Sequence, residues 1–184
     1  VLILDRNNYH LFTPLLYQIA ACGVDPWDTA QPVRAIIQGQ GITFRQSTVQ
    51  SIDLDARAVH LGNGALPYDY LVIALGSATN FFHETSAAQH ALPMKTIPEA
   101  LAIRDRVIGA FERAATLPEG DERRRLLTFV GVGGGATGTE LTASLADLLY
   151  NVLPPQYPRI DFGAVRLMMI ESEHHPIATM GDKL

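Results

Sequence analysis

The residues best suited to chemistry lie in the stretch LLTFVGVGGGATGTELTASL, which spans residues 126–145. In it a compact apolar run meets a glycine-rich turn, and a helix-like pattern follows. Gly133, Gly135 and Gly138 have the G-x-G-x-x-G spacing that binds the pyrophosphate of a dinucleotide. The first glycine permits a tight turn, the second lets backbone amides approach a phosphate, and the third allows close helix packing. The start of the helix adds free N–H groups and about half a positive charge.

An acidic residue after the next strand completes such a unit by accepting hydrogen bonds from the adenosine ribose. Glu171 ends the apolar run VRLMMIE, farther past Gly138 than the roughly 20 residues typical of the unit. The insertion at 151–163 supplies the excess. An anion at this place repels a 2′-phosphate, and no arginine follows within ESEHHP, so the pattern favours NADH over NADPH. The alternative is that the glycines form only a strand-to-helix turn.

Glu140 follows the glycine turn and allows two interpretations. As a glutamate in the first turn of the helix it complements the helix dipole, which contributes roughly 0.3–1 kcal/mol. The alternative is a functional role beside the bound nucleotide, and helix physics alone favours neither interpretation.

The composition excludes several classes of protein. The 184 residues carry a net charge of −5, which gives no basic surface for nucleic acid. No apolar run reaches the roughly 18 residues that span a bilayer, and the sequence shows no signal-peptide pattern. Cys22 is the single cysteine, so we expect a reducing compartment and interpret Cys22 as a small packed residue. The histidines lack metal-ligand spacing, so no metal is predicted.

Four continuous apolar runs predict strands of a parallel sheet that is covered on both faces. They occupy residues 1–5, 70–76, 126–133 and 165–171. The region 41–70 alternates apolar and polar residues around Gly62-Asn63-Gly64, and it predicts a small antiparallel β-meander with a hairpin turn. The three arginines at 123–125 are predicted at the start of the third strand, on a solvated edge away from the glycine turn.

Two stretches have helical periodicity. Residues 97–116 place apolar side chains three and four positions apart, and Pro98 fits the first turn. The apolar positions there are Ala100, Ile103, Val107, Ile108 and Phe111. Residues 136–153 repeat the pattern up to Pro154, which ends the helix because proline lacks the N–H donor. Its apolar positions are Leu141, Leu145, Leu148, Leu149 and Val152.

Four stretches of the chain together resemble the type II NADH dehydrogenases. These are FAD-dependent NADH:quinone oxidoreductases of the two-dinucleotide-binding-domain flavoprotein superfamily. The stretches begin at Asp5, Tyr68, Met94 and Leu126, and FTPLLYQ and GGGATGTEL are the most specific parts. The resemblance implies an α/β fold: partial tandem Rossmann-like, doubly wound parallel sheets with a small antiparallel β-meander.

The resemblance also implies a domain organisation. Residues 1–90 are expected to be a partial FAD-binding domain, and residues 91–184 the first βαβ unit of an NADH-binding domain. The first strand and glycine loop of the FAD domain are expected before Val1. The later FAD segment, the quinone-site residues and the membrane-binding C-terminal helices are expected after Leu184. The 184 residues alone are therefore expected to be inactive.

The family's cofactor contacts can be carried over to the matching positions of this sequence. By resemblance, Asp5 holds the adenosine ribose of FAD, Arg6 lies beside the adenine, and the backbone of Val49 meets it. The flavin neighbours are Thr13, Pro14, Leu15, Ala74 and Gly76, with Leu75 where the family has threonine. The NADH contacts are Gly133, Gly134, Gly135, Ala136, Thr137, Gly138 and Glu171. Glu140 matches a glutamate close to the nicotinamide and flavin, which favours a catalytic role.

The activity implied by the resemblance is hydride transfer from NADH to FAD, followed by electron transfer to a quinone in a respiratory chain, without proton pumping. A peripheral position on the cytoplasmic face of the inner (plasma) membrane and a homodimer are further expectations. A single cysteine disfavours disulfide reductases and sulfide:quinone reductases. The alternative is an NADH-binding flavoprotein of the same superfamily that reduces another acceptor or acts, like apoptosis-inducing factor, as a redox-dependent interaction protein.

Overall fold

The structure is a computed structural model, and it describes residues 1–177 of the chain. The chain folds into two compact units. The first comprises Val1–Phe12 and Trp27–Ala78, and the second comprises Thr13–Pro26 and, of the described residues, 79–177. The division into an FAD domain over 1–90 and an NADH domain over 91–184 stays a prediction, because packing alone assigns no cofactor to a unit.

The secondary structure mixes strands and helices along the described residues. The strands are β1 (Leu2–Asp5), β2 (Tyr9–Leu11), β3 (Ala30–Pro32), β4 (Thr43–Gln46), β5 (Val49–Asp53), β6 (Ala58–Leu61), β7 (Gly64–Pro67), β8 (Thr128–Val132) and β9 (Arg166–Ile170). The helices are α1 (Leu16–Ala20), α2 (Val33–Ile36), α3 (Thr85–His90), α4 (Ile97–Thr116), α5 (Asp121–Leu126) and α6 (Ala136–Asp147). Short 3₁₀ turns occupy Thr13–Leu15, Pro26–Asp28, Pro154–Gln156 and Phe162–Ala164, and a π-helical turn occupies Leu148–Val152.

A parallel pair of strands, β1 and β4, lies in the first unit, with Asp5 opposite Gln46. Phe44 in β4 is buried, and the Arg34 guanidinium lies 5.1 Å from the centroid of its ring. β2 and β3 form a separate short antiparallel pair. The predicted placement of residues 43–46 in the meander is wrong. Alternating polarity predicts a half-buried strand, but it does not say which strand pairs with it.

The antiparallel meander consists of β5, β6 and β7, so it is present but shorter than the predicted 41–70. Val59 and Leu61 of its central strand are buried. Two residues at 62–63 connect β6 to β7, and Leu61 lies opposite Gly64. Gly64 has a φ of +131°, a conformation that favours glycine. The predicted Gly-Asn-Gly hairpin turn is therefore confirmed.

Residues 70–76 are not a strand, although their apolar composition predicts one. Tyr70, Val72 and Leu75 are 96%, 87% and 74% exposed. Among residues 1–177, no strand pairs with this segment. A strand exists through its ladder of hydrogen bonds to a neighbour, so an apolar run without a partner stays irregular.

The helix α4 covers residues 97–116, as predicted, because its first turn is capped from the sequence. Thr96 Oγ1 accepts a hydrogen bond from the Glu99 N–H at 3.4 Å, and the Glu99 carboxylate accepts one from the Thr96 N–H at 2.9 Å. This reciprocal capping box satisfies donors that lack partners within the helix. Pro98 lies in the first turn, where its missing N–H costs nothing.

The core of the second unit is built around Phe111 of α4, which is fully buried. Its ring centroid lies 6.0 Å from that of Phe129 in β8 and 5.7 Å from that of Phe162. The other apolar positions predicted for α4 pack as expected: Ala100, Ile103 and Val107 are buried and Ile108 is partly buried.

The second predicted helix changes its geometry near its end. α6 stops at Asp147, and a π-helical turn follows in which the Leu153 N–H donates to the Leu148 carbonyl at 2.9 Å. Three of the predicted apolar positions are buried: Leu145, Leu148 and Leu149. Val152 is 43% exposed, so its predicted place on the buried face is wrong. The wider π turn rotates the following side chains away from the α-helical register.

The three arginines at 123–125 lie in α5 and not in the following strand, so their predicted placement is wrong. Asp121 and Glu122 begin this short helix and the arginines end it, an arrangement that complements the helix dipole at both ends. Arg124 also forms a salt bridge with Asp121 at 2.7 Å. The order of two acids followed by three arginines was therefore the signal in the sequence for a short helix.

Candidate dinucleotide-binding site

The parallel strands β8 and β9 end at one edge, and this edge carries the glycine turn and Glu171. Val132 and Ile170 are opposite each other in the last step of the ladder. The Gly133 N–H then donates to the Ile170 carbonyl at 2.8 Å. Gly133 has a φ of +98°, which favours glycine, so the chain can turn sharply out of the strand. The structure therefore brings together the glycine turn and Glu171, which the sequence predicts to form one site.

The start of α6 packs closely onto this turn at Gly138. A Cβ on Gly138 would collide with the carbonyl oxygen of Gly133. A Cβ on Gly135 would meet no described atom within 4 Å. Gly135 is the N-cap of α6, so Ala136 and Thr137 are the first helical residues, whose N–H groups lack acceptors within the helix. Open space in front of such donors suits an anionic diphosphate.

The Glu171 carboxylate is held at this edge by four hydrogen bonds. Its Oε2 accepts from the Gly134 N–H, and its Oε1 accepts from the Ser172 N–H at 2.6 Å, the Ser172 hydroxyl at 3.0 Å and the Glu173 N–H at 3.1 Å. These donors, above all the Gly134 N–H, lower the pKa of Glu171 to about 2. The side chain is therefore an anion at neutral pH. Its Oε2 keeps a second lone pair that can accept from a ribose hydroxyl.

The peptide groups of Gly134 are bonded on both sides. Its N–H donates to Glu171, and its carbonyl oxygen accepts from the Ile177 N–H at 2.7 Å and from the Thr139 hydroxyl at 3.1 Å. Gly134 as a direct cofactor contact stays a prediction, and its N–H is already engaged. Thr139 and Ile177 were not predicted as parts of this site. A hydroxyl in the first turn of a glycine-loop helix was a signal for Thr139, whereas nothing in the sequence indicated Ile177.

Glu140 is exposed and is the fifth residue of α6. It therefore lies beyond the first helical turn, and the predicted first-turn placement is wrong. The helix dipole acts mainly within the first turn, so it does not explain a glutamate at position 140. The role near the nicotinamide stays a prediction.

Asp5 and Arg6 lie at the end of β1 in the first unit, next to the chain that leads into β5. Asp5 Oδ1 accepts from the Asn7 N–H at 2.8 Å, and the Asp5 main-chain carbonyl accepts from the Ser47 N–H at 2.8 Å. Val49 begins β5 two residues after Ser47. The structure thus gathers the three residues assigned to the adenosine end of FAD in one unit, and their contact with FAD stays a prediction.

The residues assigned to the flavin end are divided between the two units. Ala74 and Gly76 lie in the first unit, exposed in an irregular segment, and Gly76 has a φ of +73°. Thr13, Pro14 and Leu15 form a 3₁₀ turn in the second unit. Their contact with the flavin stays a prediction.

Cys22 is exposed, so its predicted packing is wrong. It follows the end of α1 with a φ of +61°, in the left-handed conformation in which many helices end. Desolvation by neighbouring residues raises the pKa of its thiol, although the charge of Arg104 opposes this shift. The thiol therefore stays protonated at neutral pH and is not an activated nucleophile.

Neither a membrane-spanning helix nor a metal site is found in the described part of the chain. Within residues 1–177, no helix combines the length and apolar character needed to cross a membrane. The same residues contain no group of three histidine, cysteine, aspartate or glutamate side chains placed to hold a metal ion.

Parallel strands, a glycine turn fixed by a close approach and an acid at the end of the neighbouring strand define a dinucleotide-binding α/β protein. The chain belongs to the pyridine nucleotide-disulphide oxidoreductase family, whose model matches residues 1–181. The structure of NDH2 from Plasmodium falciparum in complex with NADH superposes with a TM-score of 0.87 at 28% identity, covering 97% of this chain and 38% of that chain. This match confirms the Rossmann-like α/β class predicted from the sequence.

The curated relatives agree with the resemblance inferred from the motifs. The chain is 33% identical over 187 residues to the type II NADH:quinone oxidoreductase Ndh of Mycobacterium tuberculosis, covering 99% of this chain and 40% of that protein. It is 36% identical over 197 residues to the external alternative NAD(P)H-ubiquinone oxidoreductase B2, mitochondrial, of Arabidopsis thaliana, covering 100% of this chain and 33% of that protein. The chain thus spans less than half the length of these relatives, and its similarity to type II NADH dehydrogenases is confirmed.

Proposed function

We propose that the protein carrying this sequence is a type II, FAD-dependent NADH:quinone oxidoreductase that pumps no protons. The observation that carries the proposal is the Glu171 carboxylate on the glycine turn of β8 and α6, in a chain 33% identical to a type II NADH:quinone oxidoreductase. In the proposed reaction NADH gives a hydride to FAD, and the electrons pass on to a quinone.

The described residues fit the adenosine half of NADH. The contact between Gly133 and Gly138 closes the turn, and the open space at Gly135 faces the start of α6. There the N–H groups at the start of the helix can bind the diphosphate. Glu171 supplies an ionised acceptor for the ribose hydroxyls next to this position. These features support the diphosphate and ribose contacts assigned to residues 133–138 and Glu171.

For FAD, the described residues fit the adenosine end of the cofactor. Asp5 is an exposed carboxylate at the end of a parallel strand, which is the place of a ribose acceptor in a dinucleotide fold. The only G-x-G-x-x-G string of this sequence lies at 133–138, beside Glu171, and is therefore assigned to NADH. The flavin, when bound, supplies the hydride acceptance and the electron transfer to quinone.

The coenzyme that we propose is NADH in preference to NADPH. The Arabidopsis relative is named for NAD(P)H, so the family name alone does not decide the matter. Glu171 is an anion held at the predicted ribose position, and a 2′-phosphate placed there would meet a like charge. The same electrostatics predicts that NADPH binds far more weakly than NADH.

Glu140 is the residue that we assign to the reacting end, where it orients the nicotinamide or relays a proton. The protein is further proposed to act as a peripheral protein on the cytoplasmic face of the inner (plasma) membrane and as a homodimer. The names of the relatives favour the enzyme over a redox-dependent interaction protein.

The test is steady-state quinone reduction by the complete protein with its flavin bound. We expect NADH to support quinone reduction and NADPH to support much slower turnover. Glu140→Gln should lower turnover while the FAD content stays the same, and Glu122→Gln, at another exposed helical glutamate, is the matched control. A flavoprotein that oxidises no NADH with quinone, and instead gains or loses a protein partner when NADH is added, would contradict the proposal.

A further inference from the structure

The glycine at position 134 stands where the G-x-G-x-x-G spacing accepts any residue. The structure nevertheless demands glycine there. A Cβ on Gly134 would lie 2.8 Å from Glu171 Oε2, 3.1 Å from Glu171 Cγ and 3.3 Å from Glu171 Cβ. Gly134 does not have a φ in the left-handed range, whereas Gly133 does. The constraint at Gly134 is therefore the glutamate side chain and not the backbone conformation.

Hydrogen bonds to the Gly134 carbonyl also hold this residue, and with it the Gly134 N–H, in place. The Gly134 carbonyl accepts from the Ile177 N–H at 2.7 Å and from the Thr139 hydroxyl at 3.1 Å. These bonds tie Gly134 to the start of α6 on one side and to the chain after β9 on the other. Gly134 is buried, so its N–H has little access to water as an alternative acceptor. The carboxylate consequently meets a donor whose position is already set.

We propose that Gly134 is a positioning residue for coenzyme selection. The missing side chain lets the Glu171 carboxylate reach the Gly134 N–H, and this hydrogen bond holds the anion where the 2′-hydroxyl of NADH binds and the 2′-phosphate of NADPH is repelled. The inference rests on the proposed binding of NADH at this turn. It assigns to Gly134 an action through Glu171, with no requirement for a contact between Gly134 and the coenzyme.

The replacement Gly134→Ala shows what the glycine contributes. A methyl group at 2.8 Å from Oε2 forces the carboxylate to move, because that distance is shorter than real Cβ contacts. A moved carboxylate loses the hydrogen bond that does most to keep it ionised. It also turns toward water, where its repulsion of a phosphate is screened. Selection between NADH and NADPH should weaken while the remaining glycines of the turn stay intact.

The experiment compares the complete, flavin-loaded protein with its Gly134→Ala variant. With the flavin reduced beforehand, so that it accepts no hydride, calorimetry measures the dissociation constants of NADH and NADPH, and carboxylate NMR measures the pKa of Glu171. We expect the preference for NADH over NADPH to fall about tenfold, which corresponds to the loss of roughly one charge-assisted hydrogen bond. We also expect the pKa of Glu171 to rise toward its ordinary value. The matched control is Gly109→Ala in α4, where a Cβ meets no described atom within 4 Å, and it should change neither quantity.

A second pair of variants keeps the test decisive if Gly134→Ala folds poorly. Glu171→Ala removes the two closest atoms, Oε2 and Cγ, and leaves only Cβ at 3.3 Å, so Gly134→Ala requires a shift of only a few tenths of an ångström in that background. If Gly134 acts through Glu171, adding Gly134→Ala to Glu171→Ala leaves the ratio of NADH to NADPH affinity unchanged. A general disturbance of the loop would instead lower the affinity in both backgrounds.

The experiment distinguishes failure of the role proposed for Gly134 from failure of the proposed function. A folded Gly134→Ala protein that binds NADH, with the coenzyme preference and the pKa of Glu171 both unchanged, overturns the role of Gly134 and leaves the proposed function standing. A wild-type protein that holds its flavin and binds no NADH overturns the proposed function itself, and the present inference falls with it.

Discussion

Two edges of the molecule look alike in sequence and differ in structure. β1 and β9 are both apolar strands that lead into an acid, Asp5 or Glu171, and each has a parallel neighbour. At the β9 edge the neighbour β8 runs into the glycine turn, and the Gly134 N–H donates to Glu171. At the β1 edge the neighbour β4 runs into the meander, and the exposed Asp5 carboxylate accepts from the nearby Asn7 N–H.

The comparison shows that an acid at the end of a parallel strand is only part of a nucleotide site. The adjacent strand decides what the acid can do, because it brings or fails to bring the phosphate-binding turn to the same edge. Glu171 has such a neighbour within the described chain and Asp5 does not. The two acids should therefore respond differently to equivalent substitutions.

The largest effect is expected from Gly138→Ala. A Cβ at this position collides with the Gly133 carbonyl, which is backbone and cannot swing aside. We expect the unfolding free energy to fall by about 1–3 kcal/mol, as for other overpacked sites. If NADH binds only to the native turn, part of the binding free energy is used to restore that turn. The affinity for NADH then drops by up to about 100-fold. Chemical denaturation measures the unfolding free energy, and calorimetry with the flavin already reduced measures the NADH affinity.

The control for that substitution is Gly109→Ala, which adds the same methyl group where no described atom lies within 4 Å. It lies inside α4, where alanine stabilises a helix by about 0.5–1 kcal/mol relative to glycine. A Gly138→Ala protein as stable as this control and equally able to bind NADH would contradict the close approach of α6 to the turn.

The next effect separates the two edges directly. Glu171→Gln should weaken NADH binding about 10- to 100-fold, because it removes a charged acceptor for the ribose hydroxyls. Asp5→Asn should leave NADH affinity unchanged and lower the retention of FAD instead. The flavin absorbance of the purified variants measures FAD retention, and calorimetry with NADH, after the flavin has been reduced, measures the affinity. Equal losses of NADH affinity in the two variants would remove the distinction between the edges.

The sequence predicted local structure well wherever the signal was local. α4 begins and ends as expected because Thr96, Pro98 and Glu99 set its first turn and its apolar side chains follow the helical period. The glycine turn and Glu171 were paired correctly because a βαβ unit brings the ends of its two strands to one edge.

Features that depend on distant partners could not be predicted in this way. Residues 70–76 have the composition of a strand, but a strand needs a neighbour that composition does not identify. The pairing of β4 with β1 was missed for the same reason. The contact of Gly134 with Glu171 joins residues 37 positions apart. The resemblance assigned Gly134 to the coenzyme, and no pattern in the sequence indicated that it contacts Glu171.

A smaller effect concerns pH. The folded pKa of Glu171 is about 2, below its ordinary value of 4.5, so Glu171 contributes stability that is present above pH 4.5 and is lost as the pH falls toward 2. Denaturation at a series of acidic pH values should show this loss in the wild type. Glu171→Gln should lose less stability than the wild type as the pH falls, whereas Glu122→Gln should lose as much as the wild type. Identical acid profiles for wild type and Glu171→Gln would contradict the hydrogen bonds described for the carboxylate.

The smallest effect is expected away from both edges. The Tyr157 hydroxyl donates to the Glu112 carboxylate at 2.8 Å, and desolvation together with this bond raises the pKa of Tyr157 to about 12. A raised phenol pKa means that the stabilising contribution is complete below pH 10 and is lost between pH 10 and about 12. Absorbance titration of the phenol should show the raised pKa.

Tyr157→Phe should lower the unfolding free energy at neutral pH by at most about 1 kcal/mol, since Glu112 is exposed and water competes for the hydrogen bond. It should leave NADH affinity unchanged, because Tyr157 packs beside Phe111 in the core and not at the glycine turn. A large change in NADH affinity in this variant would show that the β8–β9 edge is coupled to the core more tightly than proposed.

The most direct test of the central claim is a crystal structure of the complete, flavin-loaded protein with NADH bound. We expect the diphosphate to lie against the N–H groups at the start of α6 and the Glu171 carboxylate to accept a hydrogen bond from the adenosine ribose. NADH bound with its diphosphate away from residues 133–138, or with its ribose out of reach of Glu171, would contradict the account.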